Sequence, residues 1–145
     1  MIIGNYSSKL TQGRRLAIPS KFRTKLGKKL IVARWYENCL VLVSQNNWEA
    51  LLTKLSGKSE FLTSPVRDTD RFILGSAFEV QPDSQGRVLL SEDLVKHANL
   101  DSEVVFIGLG DRVEIWSKSD WNKRQLYLSE NASELIEKVA KDERT

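Results

Sequence analysis

Apolar residues in this sequence occur in short alternating or continuous runs, a pattern that is typical of β-strands. Residues 15–18 read Arg-Leu-Ala-Ile, and residues 87–90 read Arg-Val-Leu-Leu. A period of two places Leu16 and Val88 on one face of a sheet and the arginine that begins each run on the other face. Each run therefore predicts a strand with one buried face.

Two pairs of continuous apolar runs predict two β-hairpins that are buried against other elements. In the first pair, residues 31–33 and 40–43 flank a turn-like segment at 36–38. In the second pair, residues 104–107 and 113–116 flank a predicted turn at 108–111, Gly-Leu-Gly-Asp.

Helical patterns lie between the strands. Pro19 favours the start of a short helix over residues 20–26. Apolar residues at 48, 51, 52 and 55 have the spacing of one helical face and predict a helix that ends at Gly57. Two further helices are predicted, a short one at 71–75 and an amphipathic one near the C-terminus that is frayed beyond residue 140.

The chain contains two copies of one unit. Residues 6–22 align with residues 78–94 at an offset of 72, and the later hairpins align at 73 or 74. We expect a mostly β fold with short helices (α+β), in which the two copies pack about a pseudo-twofold axis and exchange strands. The predicted divisions are a first repeat at 1–57, a connector at 58–75, a second repeat at 76–126 and a C-terminal helix at 127–145.

Charge is distributed unevenly along these two copies. The net charge of the 145 residues is only +3, but residues 1–36 contain nine lysines and arginines and no aspartate or glutamate. This asymmetry favours a surface that faces a polyanion, and a solvated basic face without a partner is the alternative.

The sequence offers little for catalysis or metal binding. With one cysteine, Cys39, and one histidine, His97, no zinc site of ordinary spacing can be written. We expect Cys39 to be a small buried apolar group, His97 to be solvated or packed, and the four tryptophans to lie in the core. We therefore expect no enzyme activity, no cofactor, no metal and no small-molecule substrate. The single cysteine indicates a reducing compartment such as the cytoplasm, and no apolar run is long enough to span a membrane.

The loops before Arg15 and Arg87 carry the candidate chemistry. In the second copy, Asp83 and Arg87 lie four residues apart around Gly86, so we expect the carboxylate to clamp the guanidinium in a bidentate pair and to shape the turn. Such a clamp fixes an arginine that could meet a phosphate or a guanine edge, although a salt-bridged turn with only a structural role has the same pattern.

The corresponding loop of the first copy favours the functional reading. It lacks the acid and has two adjacent arginines, whose repulsion an anion would relieve. The candidate DNA-binding residues are Lys9, Arg14, Arg15, Gln85 and Arg87, and the candidate loop-organising residues are Gly13, Asp83 and Gly86.

These motifs resemble the MraZ family of bacterial transcriptional regulators, which consist of two AbrB-like swapped-hairpin repeats. The similarity spans about residues 1–125 and is carried by residues 15–23, 83–88 and 107–116. In the first copy, Thr11 stands where the family has aspartate.

The resemblance implies tandem AbrB-like β-barrel repeats and a ring-shaped, octamer-like homo-oligomer at the nucleoid. It also implies binding of double-stranded DNA at repeated promoter boxes upstream of the chain's own division and cell-wall gene cluster. Arg15 and Arg87 would be the main contacts and Asp83 their organiser. An AbrB-like antitoxin or another protein-interaction scaffold is the alternative.

Overall fold

Strands and helices alternate along residues 1–56 and 62–144, the residues that this computed structural model describes. The strands are β1 (Ile2–Lys9), β2 (Arg15–Ala17), β3 (Leu30–Arg34), β4 (Leu40–Ser44), β5 (Phe78–Val80), β6 (Arg87–Leu89), β7 (Glu103–Gly110) and β8 (Val113–Ser117). The α-helices are α1 (Ser20–Leu26), α2 (Gln45–Ser56), α3 (Ser64–Ile73), α4 (Glu92–His97) and α5 (Lys118–Arg144). Short 3-10 segments lie at Tyr36–Asn38 and Leu74–Ser76.

The two copies exchange strands, as the sequence predicts. All strand pairs are antiparallel, and the six-stranded sheet has the order β1-β7-β8-β4-β3-β5. In it, β1 of the first copy pairs with β7 of the second, and β5 of the second pairs with β3 of the first. The remaining strands, β2 and β6, form a separate two-stranded ribbon. Neither copy therefore completes its sheet alone.

One pseudo-twofold axis relates the copies. It passes through the β2–β6 ribbon at the pair Leu16 and Val88, because Arg15 lies opposite Leu89 and Ala17 lies opposite Arg87. The same relation centres the β4–β8 pairing on residues 41 and 114.

Both faces of the six-stranded sheet are buried, which explains the fully apolar runs. One face packs on the ribbon and on α1 and α4, through buried residues such as Leu16, Phe22, Val88 and Leu94. Side chains from α2, α3 and α5 lie in the cluster on the other face. Leu16 and Val88 are almost inaccessible, and burying such a side chain contributes about 1.5–3 kcal/mol. The ribbon and the long helices therefore lie on opposite sides of the sheet.

The helix at 20–26 and the helix predicted from the apolar residues at 48, 51, 52 and 55 are confirmed. Helix α1 has the predicted limits, and α2 contains Trp48 and Leu51 among its buried residues. The predicted end at Gly57 lies outside the described residues.

The C-terminal helix is longer than the sequence pattern indicates. Helix α5 has 27 residues and begins at Lys118 rather than at residue 127, so the helices are not all short. Its start is stabilised by the Ser117 hydroxyl, which accepts the backbone N–H of Asp120 at 3.1 Å, and by edge-to-face contact between Trp116 and Trp121. These anchors precede the apolar periodicity on which the prediction rested.

Two local expectations are wrong. The glycines at 108 and 110 lie within β7 rather than in a turn, because β1 pairs with this strand as far as Gly110, and the chain turns at Asp111 and Arg112. In addition, helix α3 begins at Ser64 instead of near residue 71. Pro65 lies in the first turn of α3, where proline removes no helical hydrogen bond.

Candidate nucleic-acid interface

The β2–β6 ribbon presents one face to the core and the other to solvent. Leu16 and Val88 point inward, and their neighbours Arg15, Arg87 and Leu89 alternate to the outside. Arg15 is exposed, the Arg87 side chain is 33% exposed, and Leu89 is 49% exposed. The two arginines are thus diagonal neighbours on one outer face, a relation that corresponds to about 7–8 Å between backbone positions.

The loop of residues 83–86, which we call loop two, is organised by Asp83. Its carboxylate accepts the backbone N–H groups of Gln85 at 2.9 Å and Arg87 at 3.0 Å. It also accepts Nε of Arg87 at 3.1 Å, a single side-chain hydrogen bond and not a bidentate pair. These hydrogen bonds lower the pKa of Asp83 below its ordinary value, and the bond from the Arg87 backbone N–H has the largest effect. The carboxylate is therefore ionised at neutral pH and holds both the turn and the guanidinium.

The loop of residues 11–14, loop one, keeps the same backbone turn without the acid. The Thr11 hydroxyl accepts the backbone N–H of Arg15 at 3.1 Å, as Asp83 accepts that of Arg87. The Arg14 N–H bonds to the Thr11 carbonyl at 3.0 Å, and the Arg15 carbonyl accepts the Thr11 N–H at 2.9 Å. Threonine thus replaces the backbone function of the aspartate, but it cannot pair with the guanidinium. Within the described residues the Arg15 side chain makes no hydrogen bond or ion pair.

The left-handed position of the two turns is occupied by different residues. Gly86 has φ +76° in loop two, and Arg14 has φ +59° at the matching place in loop one. Gly13 does not adopt this conformation, so the residue that takes the strained position in loop one is an arginine. A left-handed non-glycine residue costs roughly 1–2 kcal/mol, which other contacts must offset.

The Arg14 side chain provides such contacts to the second copy. Its Nε donates to the carbonyl of Leu90 at 3.0 Å, and its Nη1 lies 3.5 Å from Glu92 Oε1. Its backbone carbonyl also accepts the N–H of Leu90 at 2.9 Å. Arg14 therefore connects loop one to the second copy, and its side chain is more restrained than that of Arg15.

The other predicted residues lie near these loops. Gln85 is exposed at the tip of loop two, with its backbone held by Asp83. Lys9 is exposed at the end of β1, where it lies opposite Glu103 of β7. Lys9 thus has an acidic residue opposite it in the sheet, although the ion pair of Glu103 is with Lys118, at 4.0 Å.

One residue of this region was missed by sequence reasoning. Arg23 of α1 extends across the copies and lies against Gly86, so a Cβ at that glycine would come within 2.5 Å of Arg23 Cζ. Its Nε is buried and has no hydrogen-bond partner among the described residues. Arg23 is one of the nine basic residues of segment 1–36, which the sequence did single out. Only the fold shows that its side chain occupies the place where a side chain at position 86 would begin.

The structure gives no sign of a metal centre in the part of the chain it describes. No group of three or more histidine, cysteine or acidic residues there could hold a metal ion. Cys39 is buried, as expected, and its burial raises the pKa of the thiol. His97 packs edge-to-face on Phe72, and its partial burial lowers its pKa. Among residues 1–56 and 62–144, no helix is long and apolar enough to cross a membrane.

A family model of known proteins matches this chain twice, once in each copy of the repeat. A family model described as "MraZ protein, putative antitoxin-like" matches residues 1–72 and again residues 73–144. A protein of Syntrophomonas wolfei named transcriptional regulator MraZ is 35% identical over 142 residues, which is 98% of this chain and 96% of that protein. Proteins of the same name are 37% identical in Acetivibrio thermocellus, over 97% of both chains, and 39% identical in Caldanaerobacter subterraneus, over 85% of both.

Proposed function

The chain belongs to the MraZ family, and on that premise we propose that it is a transcriptional regulator that binds double-stranded DNA through the outer face of the β2–β6 ribbon. It acts at the nucleoid in the cytoplasm. Its target is a set of repeated promoter boxes upstream of its own division and cell-wall gene cluster. The family match and the relatives named as transcriptional regulators support the regulatory role.

The observation that carries the DNA interface is the placement of Arg15 and Arg87 on one exposed face. The twofold relation puts their loops at equal height along the axis, so both can meet one ligand surface. A two-stranded ribbon fits the major groove of B-DNA, and arginine is suited both to phosphates and to guanine edges. Side chains from α2, α3 and α5 pack on the opposite face of the six-stranded sheet.

Charge distribution supports the same face. The basic residues of 1–36 include Lys9, Arg14, Arg15 and Arg23, which lie in or beside the two loops. Neutralising DNA phosphates with such residues releases counterions and makes affinity fall linearly with salt on a logarithmic scale. We expect steep salt dependence for binding.

A ring-shaped, octamer-like homo-oligomer would multiply these modest contacts. The end strands of the sheet differ, since β1 has eight residues and β5 has three. Contacts between unlike surfaces are head-to-tail and close into rings when the rotation permits. Several ribbons in one ring would then bind repeated boxes with avidity.

A protein-interaction module is the second candidate, and it is favoured by one observation. Leu126, Ile136 and Val139 of α5 are 58–70% exposed, so their apolar side chains are available for contact with a partner. Co-purification of a second protein in stoichiometric amount would support that function, whereas a sizing measurement that finds only multiples of this chain would support the ring.

The DNA-binding function is tested by fluorescence anisotropy with labelled DNA from the gene's own upstream region. The double variant Arg15→Ala/Arg87→Ala should lose most affinity and show a shallower salt slope. The control Lys123→Ala removes an exposed lysine on α5, on the other side of the sheet, and should bind as the wild type does. Unchanged affinity and salt slope in the double variant would disprove this mechanism.

A further inference from the structure

The structure assigns different tasks to the two loops, an inference that rests on the proposed function. We propose that Arg87 reads base edges and determines the choice of DNA sequence, whereas Arg15 contacts phosphate and supplies salt-dependent affinity. The two residues occupy equivalent positions of the repeat, so the difference comes from their surroundings.

Arg87 has the fixed geometry that base reading needs. Its Nε is bonded to Asp83 Oδ2, and the two terminal amino groups make no hydrogen bond with the described residues. Asp83 is itself held by two backbone N–H groups, so the carboxylate is a rigid support. Two terminal N–H groups in a planar fork match the O6 and N7 acceptors of guanine. Little side-chain entropy is then lost on contact, which favours discrimination between bases.

The same pair contributes little to non-specific affinity. Arg87 and Asp83 together carry no net charge, because the lowered pKa of Asp83 keeps its carboxylate ionised. A neutral pair displaces few counterions from DNA, so it changes the salt slope only weakly.

Arg15 has the opposite character. The Thr11 hydroxyl stands in place of the acid and accepts only the backbone N–H of Arg15, which leaves the exposed guanidinium without an ion pair among the described residues. An unrestrained, uncompensated cation can follow a phosphate in many orientations. Such contacts position a protein on DNA and add affinity, but they carry no sequence information.

Arg14 helps to position Arg15. Its bonds to Leu90, from both side chain and backbone, tie loop one to the second copy. The backbone of Arg15 is therefore fixed even though its side chain is free. We place Arg14 among the positioning residues.

Charge-conserving variants test the division most directly. Arg87→Lys keeps the charge but loses the fork, so the affinity ratio between promoter DNA and scrambled DNA of equal length should fall at least fivefold, with an almost unchanged salt slope. Arg15→Lys should keep both the ratio and the slope. Arg15→Ala should lower the slope by about 1 for each bound chain and leave the ratio intact.

Exchanging the supporting residue provides an independent test. Asp83→Thr gives loop two the residue of loop one, so it should lower the ratio and strengthen binding to scrambled DNA. Thr11→Asp should pair with Arg15 and lower the salt slope. Each variant is first compared with the wild type by circular dichroism and thermal unfolding, and the lysine variants decide the matter if Asp83→Thr is unfolded.

The outcomes separate the two proposals. If Arg87→Lys keeps the ratio, or if Arg15→Lys and Arg87→Lys lower it equally, the division of tasks is wrong although DNA binding stands. If neither Arg15→Ala nor Arg87→Ala changes affinity or salt slope, the proposed interface itself is wrong.

Discussion

Gly86→Ala is expected to destabilise the fold through loop two. Gly86 has φ +76°, a conformation that costs an L-residue roughly 1–2 kcal/mol. The new Cβ would also lie 2.5 Å from Arg23 Cζ and 2.8 Å from Arg23 Cδ. The end of the arginine side chain can swing away, so the backbone strain dominates the cost. We expect a loss of about 1–2 kcal/mol in the free energy of unfolding.

Urea denaturation followed by tryptophan fluorescence measures this loss. In an Arg23→Ala background, Gly86→Ala should still cost roughly 1–2 kcal/mol, because only the steric part disappears. The matched control is Arg14→Gly at the equivalent position of loop one. This substitution relieves the backbone strain of a left-handed arginine but removes the side-chain hydrogen bond to Leu90. Because the two effects oppose each other, we expect a free energy of unfolding within about 1 kcal/mol of the wild-type value. A Gly86→Ala protein as stable as the wild type would refute the reasoning.

Two further predictions concern the core and the single histidine. Leu16→Ala should lower the free energy of unfolding by about 2–5 kcal/mol, because the side chain is fully buried. Leu89→Ala, on the exposed face of the same ribbon, should lower it by less than about 1 kcal/mol. Equal losses for the two variants in urea denaturation would contradict the orientation of the ribbon. The pKa of His97 is lowered, mainly by burial and also by the Arg34 charge. The neutral imidazole therefore stabilises the fold at pH values above the ordinary pKa of about 6.5. This contribution to stability is lost as the pH falls through the lower pKa of the folded state. The stability difference between pH 7.5 and pH 5 should therefore shrink in His97→Gln, and an unchanged difference would show that His97 is not responsible.

The strand pattern of the ribbon could be predicted because burial and repetition agree. The alternation at 15–18 and 87–90 correctly placed Leu16 and Val88 inside, with Leu89 outside. The repeat then predicted strand exchange, since one copy covers too little apolar surface by itself.

The sequence indicated that loop one lacks the acid of loop two, but the roles of Arg14 and Arg23 could not be predicted, because they depend on contacts across the copies. A non-glycine residue rarely adopts the left-handed conformation, so the sequence would favour Gly13 for that position in loop one. In the structure Arg14 adopts it instead. The sequence also did not reveal that Arg23 lies against Gly86, or that Arg14 bonds to Leu90. The start of α5 was missed for a related reason: its anchors, the Ser117 cap and Trp116, precede the helix.

Directed cleavage of DNA tests most directly whether the ribbon's outer face meets the double helix. An iron chelate that generates hydroxyl radicals is attached to Leu89→Cys on that face or to Lys123→Cys on α5. Cys39, the single native cysteine, is buried and remains unlabelled. We predict cleavage centred on the promoter repeats from position 89 and none from position 123. Cleavage from position 123, with position 89 silent, would contradict the interface.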